Sequence, residues 1–212
     1  MKLALVGFGD LGQYVEEVME EYGSVEKGAT VYFDDNLHRA GAPRSFPFAE
    51  YASDAFADFH FHVCLGYRHL KLRKEIVARL LGLGRTVPHF VHPSSWVHPS
   101  VEIGAASFIY PGVSIDRNTK IGIASWIANG DVIPHDCIIG DGCWFGASVT
   151  LSGKVSVGDH TFIASGTTVS NDIHIGANVI IGLGTAVTKN VADGICVIGN
   201  PMRILTKPIV LV

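Results

Sequence analysis

Ile121-Gly122-Ile123-Ala124-Ser125-Trp126-Ile127 holds one full period of the pattern that decides the fold, a large apolar residue returning after six positions. Backward from it the series runs through Ile115, Ile109 and Ile103 to Val97. Forward it runs through Ile133, Ile139, Phe145, Leu151, Val157, Ile163, Val169, Ile175 and Ile181 to Val187, with no break. Two residues before these positions stand small or β-branched residues such as Val101, Ser107, Thr119, Ser125, Cys137, Cys143, Thr161 and Thr185, with Asp131 as the departure. Glycine often follows the apolar position, as at Gly104, Gly122, Gly140, Gly158 and Gly176.

A helix returns its apolar face every ~3.6 residues, so period six excludes it. The period fits very short strands joined by tight turns and wound into a parallel β-helix, with each apolar residue stacked on its equivalent one coil away. Three hexads per coil give a triangular prism of roughly 18 residues per coil, and residues 97–187 then make about five coils. The stacked apolar column is core. Asp131 interrupts the small inward register, and a buried carboxylate is costly unless paired. An outward or site-lining position is the other reading of it.

The segment before the repeat is built differently. Residues 2–6 form a short apolar run that reads as a strand, followed by Gly7-Phe8-Gly9-Asp10-Leu11-Gly12. Leu11, Val15, Val18 and Met19 then recur at helical spacing until Gly23. Val31-Tyr32-Phe33 reads as a second strand closed by Asp34 and Asp35, and residues 60–65 as a third, ending in Gly66-Tyr67-Arg68. A helix is expected over about 69–82, and residues 87–91 as a fourth strand. Glycines at a strand-to-helix turn let a phosphate or sugar approach the backbone, and a carboxylate after the next strand suits a ribose hydroxyl. Asp34 stands 22 residues after Gly12. The same residues also describe a plain tight turn with a solvated carboxylate. The expected division is 1–90, a small Rossmann-like α/β domain, and 91–212, a β-helix with a C-terminal cap. The first domain is too small for a two-lobed dinucleotide fold.

Composition narrows the classes. The chain has 212 residues, is 48% apolar and only 17% charged, and carries a net charge of −4, so it is neither disordered nor a nucleic-acid binder by charge. No apolar run reaches the ~18 residues of a membrane span. No cleavage pattern follows the first residues, and the four cysteines form no CxxC pair, so a cytoplasmic protein with reduced thiols is expected. No His/Cys/Asp cluster has metal-ligand spacing, and no metal is expected.

Hexads of the form Ile121-Gly122-Ile123-Ala124-Ser125-Trp126 resemble those of hexapeptide acyltransferases with a left-handed β-helix. Preceded by the Gly7–Gly12 turn, Phe33-Asp34-Asp35 and Gly66, they resemble the sugar O-/N-acyltransferases within that group. Those include sialic acid O-acetyltransferases and the N-acetyltransferases of nucleotide-linked 4-amino-6-deoxysugars of bacillosamine and perosamine type. The resemblance implies acetyl-CoA as acyl donor, a nucleotide-linked amino sugar as acceptor, and a homotrimer.

It also implies roles for particular residues. In Ile133-Pro134-His135-Asp136-Cys137, His135 and Asp136 occupy the variable turn positions of a hexad and project outward at a corner. By themselves they describe an exposed turn pair; the resemblance makes them the catalytic pair. Imidazole titrates near neutral pH and can take the acceptor's proton, while a neighbouring carboxylate fixes its tautomer. Nucleotide-sugar contacts fall on Gly9, Asp10, Leu11, Asp34, Asp35 and Gly66, with Arg68 as a phosphate partner. Acetyl-CoA contacts fall near Trp144, Gly153, Ser165 and Leu183, with Arg203 and Lys189 toward the adenosine phosphates. Trp144 either stacks on pantetheine or fills an interface, and residues 199–203 either meet phosphates or form a helical cap. Cys137 and Cys143 read as packing, and His160 and His174 as turn residues without a role. The leading expectation is an N-acetyltransferase. The alternatives are an O-acetyltransferase of sialic acid or another sugar and, more distantly, a non-catalytic nucleotide-binding trimer.

Overall fold

A computed structural model of the chain describes residues 1–23 and 25–205. The chain forms two compact units, Met1–Pro88 and His89–Val212. None of the helices among the described residues is long and apolar enough to cross a membrane.

In the first unit, β1 (Leu3–Val6), β2 (Thr30–Phe33), β3 (Ser45–Phe46) and β4 (His60–Val63) form a parallel sheet in the order β3-β2-β1-β4. Helices α1 (Asp10–Tyr22) and α3 (Leu70–Gly82) follow β1 and β4, and the short α2 (Asp35–Arg39) follows β2. Every residue of β1 is fully buried, as expected for a central parallel strand covered on both faces. Helix α1 inserts Val15, Val18 and Met19 into the core, and α3 inserts Leu70, Ile76, Val77 and Leu80. Because β2 and β4 flank β1 on opposite sides, the connections leaving β1 and β4 diverge. A crevice opens at the carboxyl ends of these two strands, the ligand position of open α/β sheets.

One expectation fails here. The fourth strand of this sheet is Ser45–Phe46, paired with β2, whereas Phe90–Val91 belongs to the second unit and pairs with Phe108–Ile109. The apolar series in fact begins one hexad earlier, at Val91, so the first coil starts before residue 97.

The second unit is a three-faced parallel β-helix. Its strands are two residues long on nearly every turn and lie in sheets of eight, six and five strands. One face stacks Phe108–Ile109, Trp126–Ile127, Trp144–Phe145, Phe162–Ile163 and Ile180–Ile181. The second stacks Ser114–Ile115, Val132–Ile133, Thr150–Leu151 and Thr168–Val169, and the third Lys120–Ile121, Ile138–Ile139, Ser156–Val157 and His174–Ile175. Pairing joins each strand to the one 18 residues on, as in Ile121 with Ile139 and Ile127 with Phe145. The inward residues from Ile109 to Val187 are all between 0% and 3% exposed. At about 1.5–3 kcal/mol for each fully buried aliphatic side chain, this column is the main driving term of the unit.

Two further columns explain the rest of the repeat. Every sixth residue from Ala106 to Gly184 has positive φ, between 56° and 71°, and forms the corner. Glycine fills five of these fourteen corners; among the others are Asn118, Asp136, Lys154, Asp172 and Asn178. The small register forms a buried hydrogen-bond ladder. Ser125 Oγ accepts from the Cys143 N–H, 18 residues on, at 3.1 Å and donates to the Gly140 carbonyl, 15 residues on, at 2.9 Å. Ser107, Thr119 and Thr161 do the same. Glycines 104, 122, 140, 158 and 176 stack above one another so closely that a Cβ on any of them would strike the backbone of the next coil.

Asp131 takes the ladder position. It is fully buried and inward, so the outward or site-lining reading is overturned. Its Oδ1 accepts from the Val149 N–H at 2.7 Å, as a hydroxyl would, and its Oδ2 has no hydrogen-bond partner. Burial pushes its carboxyl up to about 8.

The helical cap expected at 199–203 is also absent. Arg203–Ile204 instead adds an antiparallel strand to Cys196–Ile198, covering the last open edge of that face. Residues 206–212 of the expected cap lie outside the described residues.

Candidate active site

His135 and Asp136 lie at the corner between the second and third faces, after the inward Ile133. Pro134 begins the turn, and Asp136 takes the left-handed conformation at φ 60°, which aspartate tolerates better than most residues. His135 Nδ1 lies 2.8 Å from Asp136 Oδ2. Donated hydrogen bonds, from His135 first and then from Asn118, hold the Asp136 carboxyl below the usual carboxylate range. An ionised Asp136 requires a proton on Nδ1 and leaves Nε2 as the free lone pair of the neutral ring.

The 18-residue coil stacks Gly153 and then Asn171 over His135. A Cβ on Gly153 would stand 2.7 Å from His135 Cε1 and 2.8 Å from Nε2, so only glycine leaves the ring its place. The Gly153 N–H is held by Asn171 Oδ1 at 3.0 Å. His135, Gly153, Lys154, Asn171 and Asp172 line an open cavity of about 260 Å³. A base with a free Nε2 beside such a cavity can take a proton from a bound acceptor. The sequence reading missed Asn118, Lys154, Asn171 and Asp172. Adding or subtracting 18 from His135 and Asp136 finds all four.

The other expected cofactor positions lie elsewhere on the prism. Trp144 is outward on the first face and stacks on Trp126, centroids 5.6 Å apart and 7° between planes. Ser165 and the 70% exposed Leu183 share the next corner of that face, one coil apart. Arg203 is exposed on the terminal strand, lining a second cavity with Gly199, Asn200, Pro201 and Met202. Gly153 is therefore the one residue of this set that the fold brings against His135.

The cysteines are packing residues, as read. All four are buried and free, and burial pushes the Cys137 thiol up. His174 is a correction. It lies in the strand His174–Ile175, not in a turn, and its Nδ1 bonds the Ser156 hydroxyl at 2.8 Å. No group of three or more His, Cys, Asp or Glu side chains among the described residues could hold a metal ion.

In the first unit the expected contacts gather at the carboxyl ends of β1 and β4. Gly9 caps α1 with no side-chain hydrogen bond, leaving the N–H groups of its first turn available, and Asp10 and Leu11 form that turn. Gly66 begins the turn after β4, and Arg68 is exposed just beyond it. A Cβ on Gly9 or on Gly66 would meet nothing within 4 Å, so open space faces both. Asp34 has a structural task as well. Its Oδ1 caps α2 through the Asn36 and Leu37 N–H groups, and its Oδ2 accepts from the Phe8 N–H at 3.0 Å, tying β2 to the glycine turn. Asp35 Oδ1 accepts from the Phe48 N–H at 2.8 Å.

A parallel β-helix of six-residue turns with a histidine–carboxylate pair at a corner is the architecture of the hexapeptide transferases. Residues 136–171 match the family model described as bacterial transferase hexapeptide (six repeats). Over nearly its whole length the chain is similar to solved sugar acetyltransferases. A histidine-to-alanine variant of GDP-perosamine N-acetyltransferase from Caulobacter crescentus, in complex with CoA and GDP-perosamine, is 26% identical with a TM-score of 0.87, covering 98% of each chain. The acetyltransferase domain of PglB from Neisseria gonorrhoeae FA1090, in complex with acetyl coenzyme A, is 24% identical with a TM-score of 0.85, covering 96% of this chain and 98% of that one. WeeI from Acinetobacter baumannii AYE is 24% identical with a TM-score of 0.85, covering 97% and 100%. No curated protein matches the sequence.

Proposed function

We propose that the protein is an acetyl-CoA-dependent N-acetyltransferase acting on the amino group of a nucleotide-linked 4-amino-6-deoxysugar. The observation that carries this is the His135–Asp136 pair, with Nε2 free beside an open cavity. The likeness over the whole chain to an enzyme solved with CoA and GDP-perosamine supports the choice of an amine and of a nucleotide-linked sugar. Residues 1–90 serve as the nucleotide-sugar domain, through Gly9, Asp10, Leu11, Asp35, Gly66 and Arg68, with Asp34 holding the turn. Residues 91–212 serve as the acyltransferase domain, with Trp144, Gly153, Ser165, Leu183 and Arg203 on the CoA path. The working form is a homotrimer, a reading supported by exposed Trp96, Val132, Ile138 and Leu183 on the prism exterior. It works in the cytoplasm, where the donor and the activated sugars are made.

The proposed chemistry follows from the corner. His135 Nε2 takes one proton from the sugar ammonium as the amine nitrogen attacks the thioester carbonyl. The C–N bond forms and the C–S bond breaks on collapse of the tetrahedral intermediate. The CoA thiolate leaves and takes its proton from the imidazolium. Asp136 stabilises that imidazolium and keeps Nδ1 protonated throughout.

The test is CoA release from acetyl-CoA with UDP-, dTDP- and GDP-linked 4-amino sugars beside free sialic acid, using the parent chain and His135→Ala. General-base catalysis of this kind contributes about 10²–10⁴-fold, and a loss of that order in the variant is expected. Turnover with a hydroxyl acceptor alone would overturn the N-acetyl reading.

A further inference from the structure

We infer that Asn118 is a positioning residue for the His135–Asp136 pair, its side-chain amide fixing the carboxylate oxygen that His135 leaves unused. This rests on the acyl-transfer reading of that corner. Asn118 stands at the corner position one coil before Asp136, with φ of 58° against 60°. Its Nδ2 donates to Asp136 Oδ1 at 3.1 Å, while His135 Nδ1 holds Oδ2 at 2.8 Å. The carboxylate is thus pinned at both oxygens, from two different coils. A carboxylate free to rotate would offer His135 a poorly directed partner, and imidazole orientation governs proton transfer.

Asn118 is itself held. Its backbone N–H donates to Ser100 Oγ at 2.9 Å, and that hydroxyl lies 2.9 Å from His98 Nδ1. The same device occurs one hexad earlier without an amide. Ser94 Oγ lies 2.8 Å from His92 Nδ1 and accepts from the Gly112 N–H at 3.1 Å, and the next corner residue in that column is Gly130. The turn therefore needs only a residue that tolerates positive φ, and glycine serves there. What asparagine adds at 118 is its amide, which reaches along the prism to Asp136. Asparagine side chains in turns more often bond their own local backbone. The cations flanking Asp136 on this corner are Arg117 on its own side of the preceding coil and Lys154 one coil on. Asp116 and Asp172 are the nearby carboxylates of the same columns.

Two variants separate positioning from turn formation. Asn118→Gly keeps the left-handed corner and removes the amide. Asn118→Asp keeps shape and corner preference but sets a carboxylate against Asp136. For Asn118→Gly, kcat should fall about tenfold, the kinetic scale of one hydrogen bond to a charged group. The KM for acetyl-CoA and the melting temperature should stay at parent values. For Asn118→Asp, the acid limb of the kcat/KM profile should move to higher pH. Parent-like kcat in Asn118→Gly, within twofold, would overturn the assignment and leave Asn118 a turn residue. Should the parent chain turn over no amino sugar, the acyl-transfer reading itself falls. The NMR titration of the His135 imidazole then decides Asn118 alone. A shift to higher pH in Asn118→Asp supports the coupling, and superimposable titrations refute it.

Discussion

Gly153 lies directly over the His135 ring, and a single added methyl at Gly153 would stand 2.7 Å from the imidazole Cε1. The strand-and-turn backbone there carries no positive φ, so the glycine serves the ring and not the turn. Gly153→Ala should therefore leave the melting temperature close to the parent's, because the ring can swing away, while kcat falls about 10²-fold. A displacement of about 1 Å at a reacting group costs that much. CoA-release kinetics beside a thermal melt would check it, and a parent-like kcat would remove His135 from its proposed position.

Asp131 gives the stability a pH dependence of definite sign. Its folded-state carboxyl is pushed up to about 8, far above the unfolded value of about 3.9. Between those values the unfolded chain has released the proton and the folded chain keeps it. Folding then takes up a proton, and stability drains away as pH rises through this window. Asp131→Asn presents an amide to the same partners, accepting from Val149 and donating toward the Gly146 carbonyl that the ladder register assigns. The variant should melt higher than the parent at pH 8, with the gap shrinking toward pH 5; the full span is on the order of a few kcal/mol. A gap that does not vary with pH would show that Asp131 is ionised in the folded chain.

The glycine column sets the tightest packing in the prism. A Cβ on Gly158 would meet the Ala177 nitrogen at 2.5 Å and the Gly176 carbonyl carbon at 2.6 Å, both backbone. Neither can yield without moving a coil. Gly158→Ala should lower stability by about 1–3 kcal/mol, the usual cost of overpacking. Chemical denaturation would measure it, and an unchanged midpoint would mean the coils can separate freely.

The first unit offers a contrast between two positions. Gly66 faces open space at φ −70°, so Gly66→Val should fold like the parent and raise the KM for the nucleotide sugar at least tenfold. Asp34→Ala removes the cap of α2 and the tie to Phe8, and should cost about 1–2 kcal/mol of stability. Thermal melts and nucleotide titrations on the two variants would separate site from scaffold. Unchanged nucleotide affinity in Gly66→Val would move the site away from the β1–β4 crevice.

Much of this molecule was legible in the order of its residues. A period of six fixes an inward column by itself, because burying one large apolar residue per hexad is local information that repeats without interruption from Ile103 to Val187. The glycine turn after β1, the helix behind it and the strand before Asp34 were legible for the same reason, since each follows from neighbours in sequence. The pair His135–Asp136 was visible because its two members are adjacent. What only the tertiary structure decided lies 18 residues away or more. Gly153 under His135, Asn118 on Asp136 and Asn171 on Gly153 are neighbours only because three hexads close one coil. Asp131 looked anomalous in sequence, and only the stacked ladder shows it standing in for a hydroxyl. The start of the first coil at Phe90 and the antiparallel strand at Arg203 also depended on pairing. A strand of two residues has too few side chains to declare itself, and its partner supplies the hydrogen bonds that make it one.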